Sequence, residues 1–239
     1  MKSLYESILD DFDAIESRSN YRQEVADFIS KYCQCSDSVK ISQRPNKNGY
    51  YEVSTKGTIM INGDQLTNGL FVWVSVGDFW CSGTNIENLE GSPKVVTGIF
   101  NCNGCEKLTS LEGAPKKVGA FSCSWCYNLT SLEGGPQEVV GGYGCNNCDL
   151  KSLKGAPKKV GGCFDCSMNM NLTSIADAPE TCGMGFDCNG CRKLKSLKGL
   201  PKHISKGTVR LAGIGIVVNK EEIDWYPDTV RVDDGNYKW

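Results

Sequence analysis

The sequence has little histidine, little net charge and no long apolar run, and each shortage argues against a class of function. Only one histidine, His203, is present in 239 residues, so a Ser-His-Asp or Cys-His catalytic set cannot be assembled around it. Lys and Arg number 26 against 28 Asp and Glu, and this net charge of −2 gives no electrostatic basis for binding nucleic acid or an anionic membrane. No apolar run reaches the roughly 18 residues that span a bilayer.

Cysteine and glycine, in contrast, are abundant, with 14 and 27 residues. The first stretch of the chain, MKSLYESILDDFDAIE, is acidic and lacks the basic region of a secretory signal, so we expect a cytoplasmic protein. In a reducing compartment, many cysteines indicate metal binding or burial more often than disulfides. The glycines predict tight turns or places where backbones approach closely.

A repeat of 21 or 22 residues runs through the middle of the chain. Its markers are Pro93, Pro115, Pro136, Pro157, Pro179 and Pro201, and the first cysteines of its units are Cys81, Cys102, Cys123, Cys145, Cys166 and Cys188. A register that holds over six units indicates a solenoid, in which each unit buries its apolar face against its neighbours.

The Cys-x-x-Cys pairs within the repeat have two explanations. Pairs at 102–105 and 123–126 are separated by seventeen residues, which fits a four-cysteine zinc site. In the leucine-rich repeat template, however, the first cysteine is an inward strand residue, and the second takes the Asn/Cys position that satisfies backbone groups. Asn169 and Thr84 replace the second cysteine in two units, and such losses would disable a zinc cluster. Packing is therefore favoured and no metal or cofactor is predicted, with zinc binding left open as an alternative.

The chain divides into four predicted parts. Residues 1–38 form an N-terminal helical cap, because apolar residues there follow helical stripes. Residues 39–75 form a strand-rich leading segment with degenerate repeats and a hairpin around Lys56-Gly57. Residues 76–212 form the repeat array of about six units, and residues 213–239 a small C-terminal cap. Cys33 and Cys35, which end the helical stretch, are expected to be buried.

The predicted fold class is an α/β-type repeat solenoid, namely a leucine-rich repeat array of short parallel strands. The recurring stretch GAPKKVGG contains Pro and Gly and is too short for a regular helix. An extended or polyproline-like convex side is expected there, with little helix in the array.

Units of the form F-x-C-x-x-C-x-x-L-T-S-L-E-G-A-P-K-K-V-G-G resemble short leucine-rich repeat proteins of bacteria and bacteriophages, over about residues 75–212. The segment from Leu108 to Pro115 is similar to the repeats of bacterial type III effectors, and MKSLYESILDD resembles the start of short proteins from phages of gut bacteria. The resemblance implies a curved solenoid that works by binding. Some effectors of this kind carry a ligase domain with a catalytic cysteine, which this chain has no room for.

The candidate site is the concave strand face, where outward residues flank the buried first cysteine of each unit. These outward residues are mostly small and polar, and exposed aromatic side chains on such a surface can anchor a protein partner. Asp165 and Asp187 give the later half a mild acidic spot. The candidate partner-binding residues are Trp80, Asn101, Ser122, Trp125, Asp165, Met168 and Asp187. In the alternative interpretation, Trp80 packs under the N-terminal cap and Trp125 covers an edge.

Three functional hypotheses follow. The first is a non-enzymatic protein-binding module, directed at an intracellular host protein if the source is a phage. The second is a structural or assembly protein, in the virion or as a homo-oligomer through its caps. The third is a zinc-binding protein. No catalytic residue, nucleic-acid partner or membrane partner is predicted.

Overall fold

The computed structural model describes residues 20–219 together with 221, 223, 226, 230–233 and 235. One helix, α1 (20–32), stands at the N-terminal end of a β-solenoid of about eight turns. The predicted repeat solenoid is therefore confirmed, as a β-solenoid in which no residue between 33 and 219 is helical. The first helical stripe, within residues 1–15, lies outside the described residues. Within those residues, no helix has the length and apolarity that a bilayer span requires.

Seventeen strands are assigned in the described residues. They are β1 (Cys33–Cys35), β2 (Lys40–Ile41), β3 (Tyr51–Ser54), β4 (Ile59–Ile61), β5 (Phe71–Val76), β6 (Phe79–Trp80), β7 (Val95–Asn101), β8 (Lys117–Ser122), β9 (Glu138–Val139), β10 (Tyr143–Gly144), β11 (Lys159–Val160), β12 (Cys163–Asp165), β13 (Thr181–Cys182), β14 (Gly185–Asp187), β15 (His203–Ile204), β16 (Gly207–Arg210) and β17 (Val230–Asp233).

Fifteen of these strands, β3 to β17, build two parallel ladders that run side by side along the solenoid, whereas β1 and β2 pair antiparallel with β4 and β3. Ladder A consists of β3, β5, the first half of β7 and of β8, then β9, β11, β13 and β15. Ladder B consists of β4, β6, the second half of β7 and of β8, then β10, β12, β14, β16 and β17. Equivalent residues of successive repeats lie opposite one another in both ladders, which is the register that the repeat predicts.

Ladder A corrects the expected shape of the array. The sequence predicts an extended or polyproline-like stretch after each proline, but this stretch contains paired strands such as β11, whose Val160 lies opposite Val139 and Cys182. The parallel pairing satisfies backbone groups that a polyproline segment would leave to water. The strands are therefore not confined to one side of the solenoid.

The predicted hairpin around Lys56-Gly57 is wrong. The flanking strands β3 and β4 do not pair with each other but pair in parallel with β5 and β6 of the next turn. An alternating apolar pattern predicts a strand on each side of the glycine without specifying its partner. Stacking on the next turn is favoured because it buries Val53 and Ile59 completely. Residues 51–80 therefore hold the expected degenerate early turns.

The N-terminal end of the solenoid is covered by α1 and β1. Val25, Phe28 and Ile29 of the helix are buried, and the Phe28 ring lies 5.6 Å from that of Phe71. Strand β1 pairs antiparallel with β4, which closes an edge that would otherwise be open to other chains. Cys33 is buried here, as expected. Cys35 lies in the same outer strand but is exposed, so the burial predicted for it is wrong.

The core consists of columns of equivalent side chains. The aromatic column is formed by Phe79, Phe100, Phe121, Tyr143, Phe164 and Phe186, with neighbouring ring centroids 5.1 to 5.9 Å apart. Buried cysteine and leucine columns run parallel to it. We number the six repeat turns as rungs 1 to 6, starting with the rung of Cys81 and ending with that of Cys188.

Tyr143 is the one member of the aromatic column with a hydroxyl group, and that hydroxyl is buried without a hydrogen-bond partner. Gly135 makes room beside it, because a Cβ at Gly135 would lie 3.1 Å from Tyr143 Oη and 3.0 Å from both Leu111 Cδ1 and the Leu132 carbonyl oxygen. The preceding and following repeats carry Ala114 and Ala156 at this place, each with phenylalanine in the aromatic column. Tyrosine and glycine in rung 4 are therefore a matched pair.

We expect Tyr143→Phe to stabilise the fold by about 1 kcal/mol, because it removes an unpaired buried polar group. Gly135→Ala alone should destabilise it by crowding the hydroxyl, and should become neutral or stabilising when Tyr143→Phe is also present. Urea unfolding of the four proteins measures this coupling, which should be at least about 1 kcal/mol. Simple additivity of the two changes would show that the hydroxyl does not determine the glycine.

Candidate interaction surface

The second cysteine of each pair binds the backbone of the preceding rung. The Sγ atoms of Cys105, Cys126, Cys148 and Cys191 donate to the carbonyl oxygens of Cys81, Cys102, Cys123 and Cys166, over 3.1 to 3.4 Å. These carbonyls lie in the core, where an unpaired oxygen would be costly. The predicted role of the second cysteine, a small polar group that satisfies backbone atoms, is confirmed.

Burial keeps most of these thiols protonated. It raises the pKa of Cys102 and Cys145 well above the usual range for a thiol and that of Cys126 to about 12. Cys105 and Cys148 differ, because hydrogen bonds with the side chains of Cys81 and Cys123 lower their pKa values, that of Cys105 to about 7. In the described part of the chain, no three His, Cys, Asp or Glu side chains are grouped so that they could hold a metal ion.

The two departures from the cysteine pattern also bind buried carbonyl oxygens, with other donor atoms. Thr84 donates its hydroxyl to the Cys81 carbonyl at 2.7 Å. Asn169 donates its amide to the carbonyls of Cys145 at 2.9 Å and Cys166 at 2.8 Å, and its Oδ1 accepts from the Leu150 backbone N–H at 3.2 Å. Asn169 is completely buried. Through these hydrogen bonds it joins rung 5 to rung 4 both as a donor and as an acceptor.

The outward column of ladder B has the register that the sequence predicts. Trp80, Asn101, Ser122, Gly144, Asp165, Asp187 and Arg210 lie opposite one another in successive strands. Many of their polar side chains are bound within the face, since Ser122 Oγ donates to Asn103 Oδ1 at 2.7 Å and Ser82 Oγ donates to Asn101 Oδ1 at 2.9 Å. Asn101 and Ser122 therefore lie on one face, but their side chains hydrogen-bond to neighbouring side chains of that face.

The acidic spot on this face is partly neutralised. Asp165 accepts from Ser167 Oγ at 2.6 Å and from Asn146 Nδ2 at 3.1 Å. Asp187 lies beside it in the ladder and pairs with Arg210 at 3.3 Å. Burial raises the pKa of Asp187, and the adjacent Arg210 opposes that rise.

Trp80 lies on the same face, at its N-terminal end. It is 36% exposed and stands opposite Met60, which is 37% exposed, so together they form a small apolar area. The alternative in which Trp80 packs under the cap is wrong. The tryptophan buried at that end is Trp73, whose indole N–H donates to the Leu66 carbonyl at 2.8 Å.

Trp125 and Met168 do not lie on this strand face. They occupy the turn after ladder B, in a column of residues two positions after the first cysteine of each rung. That column contains Gly83, Gly104, Trp125, Asn147, Met168, Gly190 and Gly213, all with φ between 54° and 71°. The left-handed backbone turns the chain at these residues, so Trp125 and Met168 lie in the turn after ladder B, whereas Trp80 lies in a strand of that ladder.

Two exposed apolar residues that were not predicted accompany them. Tyr127 follows the second cysteine of rung 3, with its ring edge-on to Trp125 at 6.3 Å, and Met170 holds the same place in rung 5. Exposure is 49% for Trp125, 53% for Tyr127, 40% for Met168 and 39% for Met170. The sequence pattern that indicates these two residues is a contrast between rungs: rungs 1, 2 and 6 have the polar residues Asn85, Glu106 and Arg192 at the place where rungs 3 and 5 have apolar ones.

We call these four residues the apolar corner. Rungs of parallel strands are about 4.8 Å apart, so rungs 3 and 5 place their apolar pairs about 10 Å from each other. Between them lie Asn147 and Asp149 of rung 4, both half-buried. The corner thus consists of two apolar pairs separated by one polar rung, and each pair is of a size that suits a few side chains of a protein partner.

Comparisons of the chain with protein-family models, with curated proteins and with solved structures found no match.

Proposed function

We propose that the chain is a non-enzymatic protein-binding module that binds its partner through the apolar corner. The partner is a protein with apolar side chains to place against Trp125 and Tyr127, and for a phage-encoded chain it is an intracellular host protein. Aromatic and methionine side chains are enriched at such interfaces, and the aromatic ones bury much area with few rotatable bonds.

The observation that carries this proposal is the backbone of Trp125 and Met168. Their φ values are 64° and 59°, in a column where four other rungs or turns have glycine. A residue with a Cβ costs about 1–2 kcal/mol in this region, and only Asn or Asp tolerate it well. Two large apolar residues that are both strained and exposed do not serve the fold, and strain of this kind concentrates at functional sites.

We also propose that the array is a leucine-rich repeat of the short bacterial or phage type and that it acts in the cytoplasm. Support for the repeat type comes from Asn169, which occupies the template's Asn/Cys position and binds the Cys145 carbonyl of the preceding rung. Support for the location comes from the stacked cysteines, whose thiol groups act as hydrogen-bond donors in the core.

Capture from a lysate of the cells in which the protein acts tests the binding function. The bait proteins are the wild type, a Trp125→Gly/Met168→Gly variant and a Trp80→Ala variant that alters the other apolar area. We expect a protein retained by the wild type and by Trp80→Ala and lost with the corner variant, with affinity reduced at least tenfold for the isolated partner. Retention of the same proteins by all three baits would contradict the proposal, as would an absence of captured protein.

The stability of these variants separates a binding role from a structural one. We expect Trp125→Gly to be more stable than Trp125→Ala by about 1 kcal/mol, because both remove the ring and only glycine relieves the left-handed strain. Chemical unfolding of the two proteins measures the difference. If Trp125→Gly instead loses as much stability as a core truncation, about 3 kcal/mol, the indole belongs to the fold and loss of capture would not indicate recognition.

A further inference from the structure

One side wall of the solenoid carries two columns of residues that are exposed, apart from the half-buried Thr173. The first column lies between the two buried leucine or isoleucine residues of each rung, and the second directly follows the latter of the two. The first column is Glu87, Thr109, Thr130, Lys151, Thr173 and Lys195, and the second is Glu90, Glu112, Glu133, Lys154, Ala176 and Lys198. Members of one rung are three residues apart, so the columns lie within about 10 Å of each other. We call these twelve residues the charged wall.

Hydrogen bonds hold both columns in place. In the first column, the N–H of Thr109, Thr173 and Lys195 donates to the carbonyl of the preceding rung's member over 3.0 to 3.2 Å. In the second, the backbone N–H donates to the Ser or Asn side chain two residues earlier, at 2.9 to 3.4 Å in all six rungs. The charged side chains therefore start from fixed and evenly spaced positions.

Charge along this wall changes sign at its midpoint. Every charged residue of rungs 1 to 3 in the two columns is a glutamate, and every charged residue of rungs 4 to 6 is a lysine. At the boundary, Lys154 Nζ lies 2.9 Å from Glu133 Oε1, and both side chains are more than half exposed. The Lys154 ammonium lowers the pKa of the Glu133 carboxyl.

Such a pattern is complementary to its own reverse. A second copy can be placed face to face and antiparallel, related by a two-fold axis that crosses the wall between Glu133 and Lys154. In this arrangement Glu90 of each copy lies opposite Lys198 of the other. The same operation brings Glu87 opposite Lys195 and Glu133 opposite Lys154, and each pair occurs twice. The remaining members, Glu112 opposite Ala176 and Thr130 opposite Lys151, place no like charges together. A parallel arrangement would instead set the glutamates of rungs 1 to 3 against the glutamates of the same rungs in the other copy.

We propose that the charged wall is a self-association surface whose partner is a second, antiparallel copy of this chain. Its charge complementarity distinguishes it from a surface for a polyanion, which the glutamates of rungs 1 to 3 would repel. Exposed ion pairs are individually weak and the wall is narrow, so the dimer is a weak one, with a dissociation constant between about 10 µM and 1 mM at low salt. The apolar corner consists of other residues, and this inference does not rest on its function.

Sedimentation equilibrium of the full chain tests the proposal. We expect dimers at about 50 mM salt and a dissociation constant at least tenfold higher at about 500 mM, where exposed charges are screened. Glu90→Lys and Lys198→Glu should each weaken the dimer at least tenfold, because each turns two attractions into repulsions. The Glu90→Lys/Lys198→Glu double variant restores both pairs with reversed polarity, and should bind within about threefold of the wild type.

Lys206→Glu is the matched control, since it changes the same charge at an exposed residue outside the wall. It should leave the dissociation constant within about threefold of the wild type. A chain that stays monomeric at low salt up to about 1 mM would overturn the proposal. So would a double variant that is as weak as the single ones, because only reciprocal contacts between two copies predict its recovery. Circular dichroism of each variant confirms that the solenoid is intact.

Discussion

Gly161→Ala should destabilise the solenoid by about 3 kcal/mol, although the new methyl group is small and the backbone of Gly161 is not left-handed. Gly161 lies at the bend between ladder A and ladder B, directly against Val140 of the preceding repeat. A Cβ there would collide with the carbonyl oxygen of Val140 and lie 2.9 Å from its carbonyl carbon. Backbone atoms cannot rotate away as a side chain can, so relief requires the rungs to separate and weakens the stacking of ladder strands on both sides.

Gly104→Ala is the matched control. Gly104 has a φ of 67°, and a methyl group added to it would have no other atom within 4 Å, so alanine there meets strain without crowding. We expect a loss of about 1 kcal/mol, and urea unfolding of the two variants should differ in midpoint accordingly. If the two losses were equal, or if Gly161→Ala were harmless, the close approach of the rungs at this bend would not be what requires glycine there.

The repeat allows the arrangement of the core to be predicted from the sequence. A side chain that recurs every 21 or 22 residues must stack on its own equivalents, so the columns of Cys123, Phe121 and Leu129 follow from spacing alone. The high glycine content also predicts close backbone approaches, and Gly161 is one of them. The early turns are harder to predict because their repeats are degenerate, and the pattern around Lys56 is compatible with a hairpin as well as with a bend between two ladders.

The candidate site is predictable only in part. Counting from the first cysteine places Asn101, Ser122, Asp165 and Asp187 in one column, because strand residues alternate with a fixed period. Trp125 is also expected on that surface but lies in the left-handed turn after ladder B, and a hydrophobic pattern does not encode the sign of φ. The sequence nevertheless carries this information in another form, since glycine at the equivalent places of other rungs marks a left-handed position.

Rungs 4 and 5 show two irregularities of sequence that the structure joins into one feature. Rung 4 has one residue between Cys148 and Leu150, where rung 3 has two between Cys126 and Leu129. In rung 3 the Leu129 N–H donates to the Cys126 carbonyl at 2.9 Å, a turn for which rung 4 is one residue too short. The Leu150 N–H donates instead to Asn169 Oδ1 of rung 5 at 3.2 Å. A cysteine at 169 could not replace this bond, because a thiol is only a weak acceptor.

Replacement of Asn169 should therefore be among the most damaging changes in the chain. We expect Asn169→Leu to cost about 4 kcal/mol, because it leaves the carbonyls of Cys145 and Cys166 and the N–H of Leu150 buried without their amide partner. Asn169→Cys keeps a donor for the Cys145 carbonyl and leaves mainly the N–H unpaired, so it should cost about 2 kcal/mol. Both losses are read from denaturant unfolding, with Cys126→Ala as a control that deletes one thiol donor from a rung of normal length.

An inserted asparagine between Asp149 and Leu150 tests the cause directly. It gives rung 4 the length of rung 3, so that the Leu150 N–H can reach the Cys148 carbonyl as Leu129 reaches Cys126. In this longer chain, Asn169→Cys should cost less than about 1 kcal/mol, since the amide oxygen is no longer required. An unchanged cost would show that Asn169 is needed only for its two carbonyl partners, and that the shortened rung and the asparagine are unrelated.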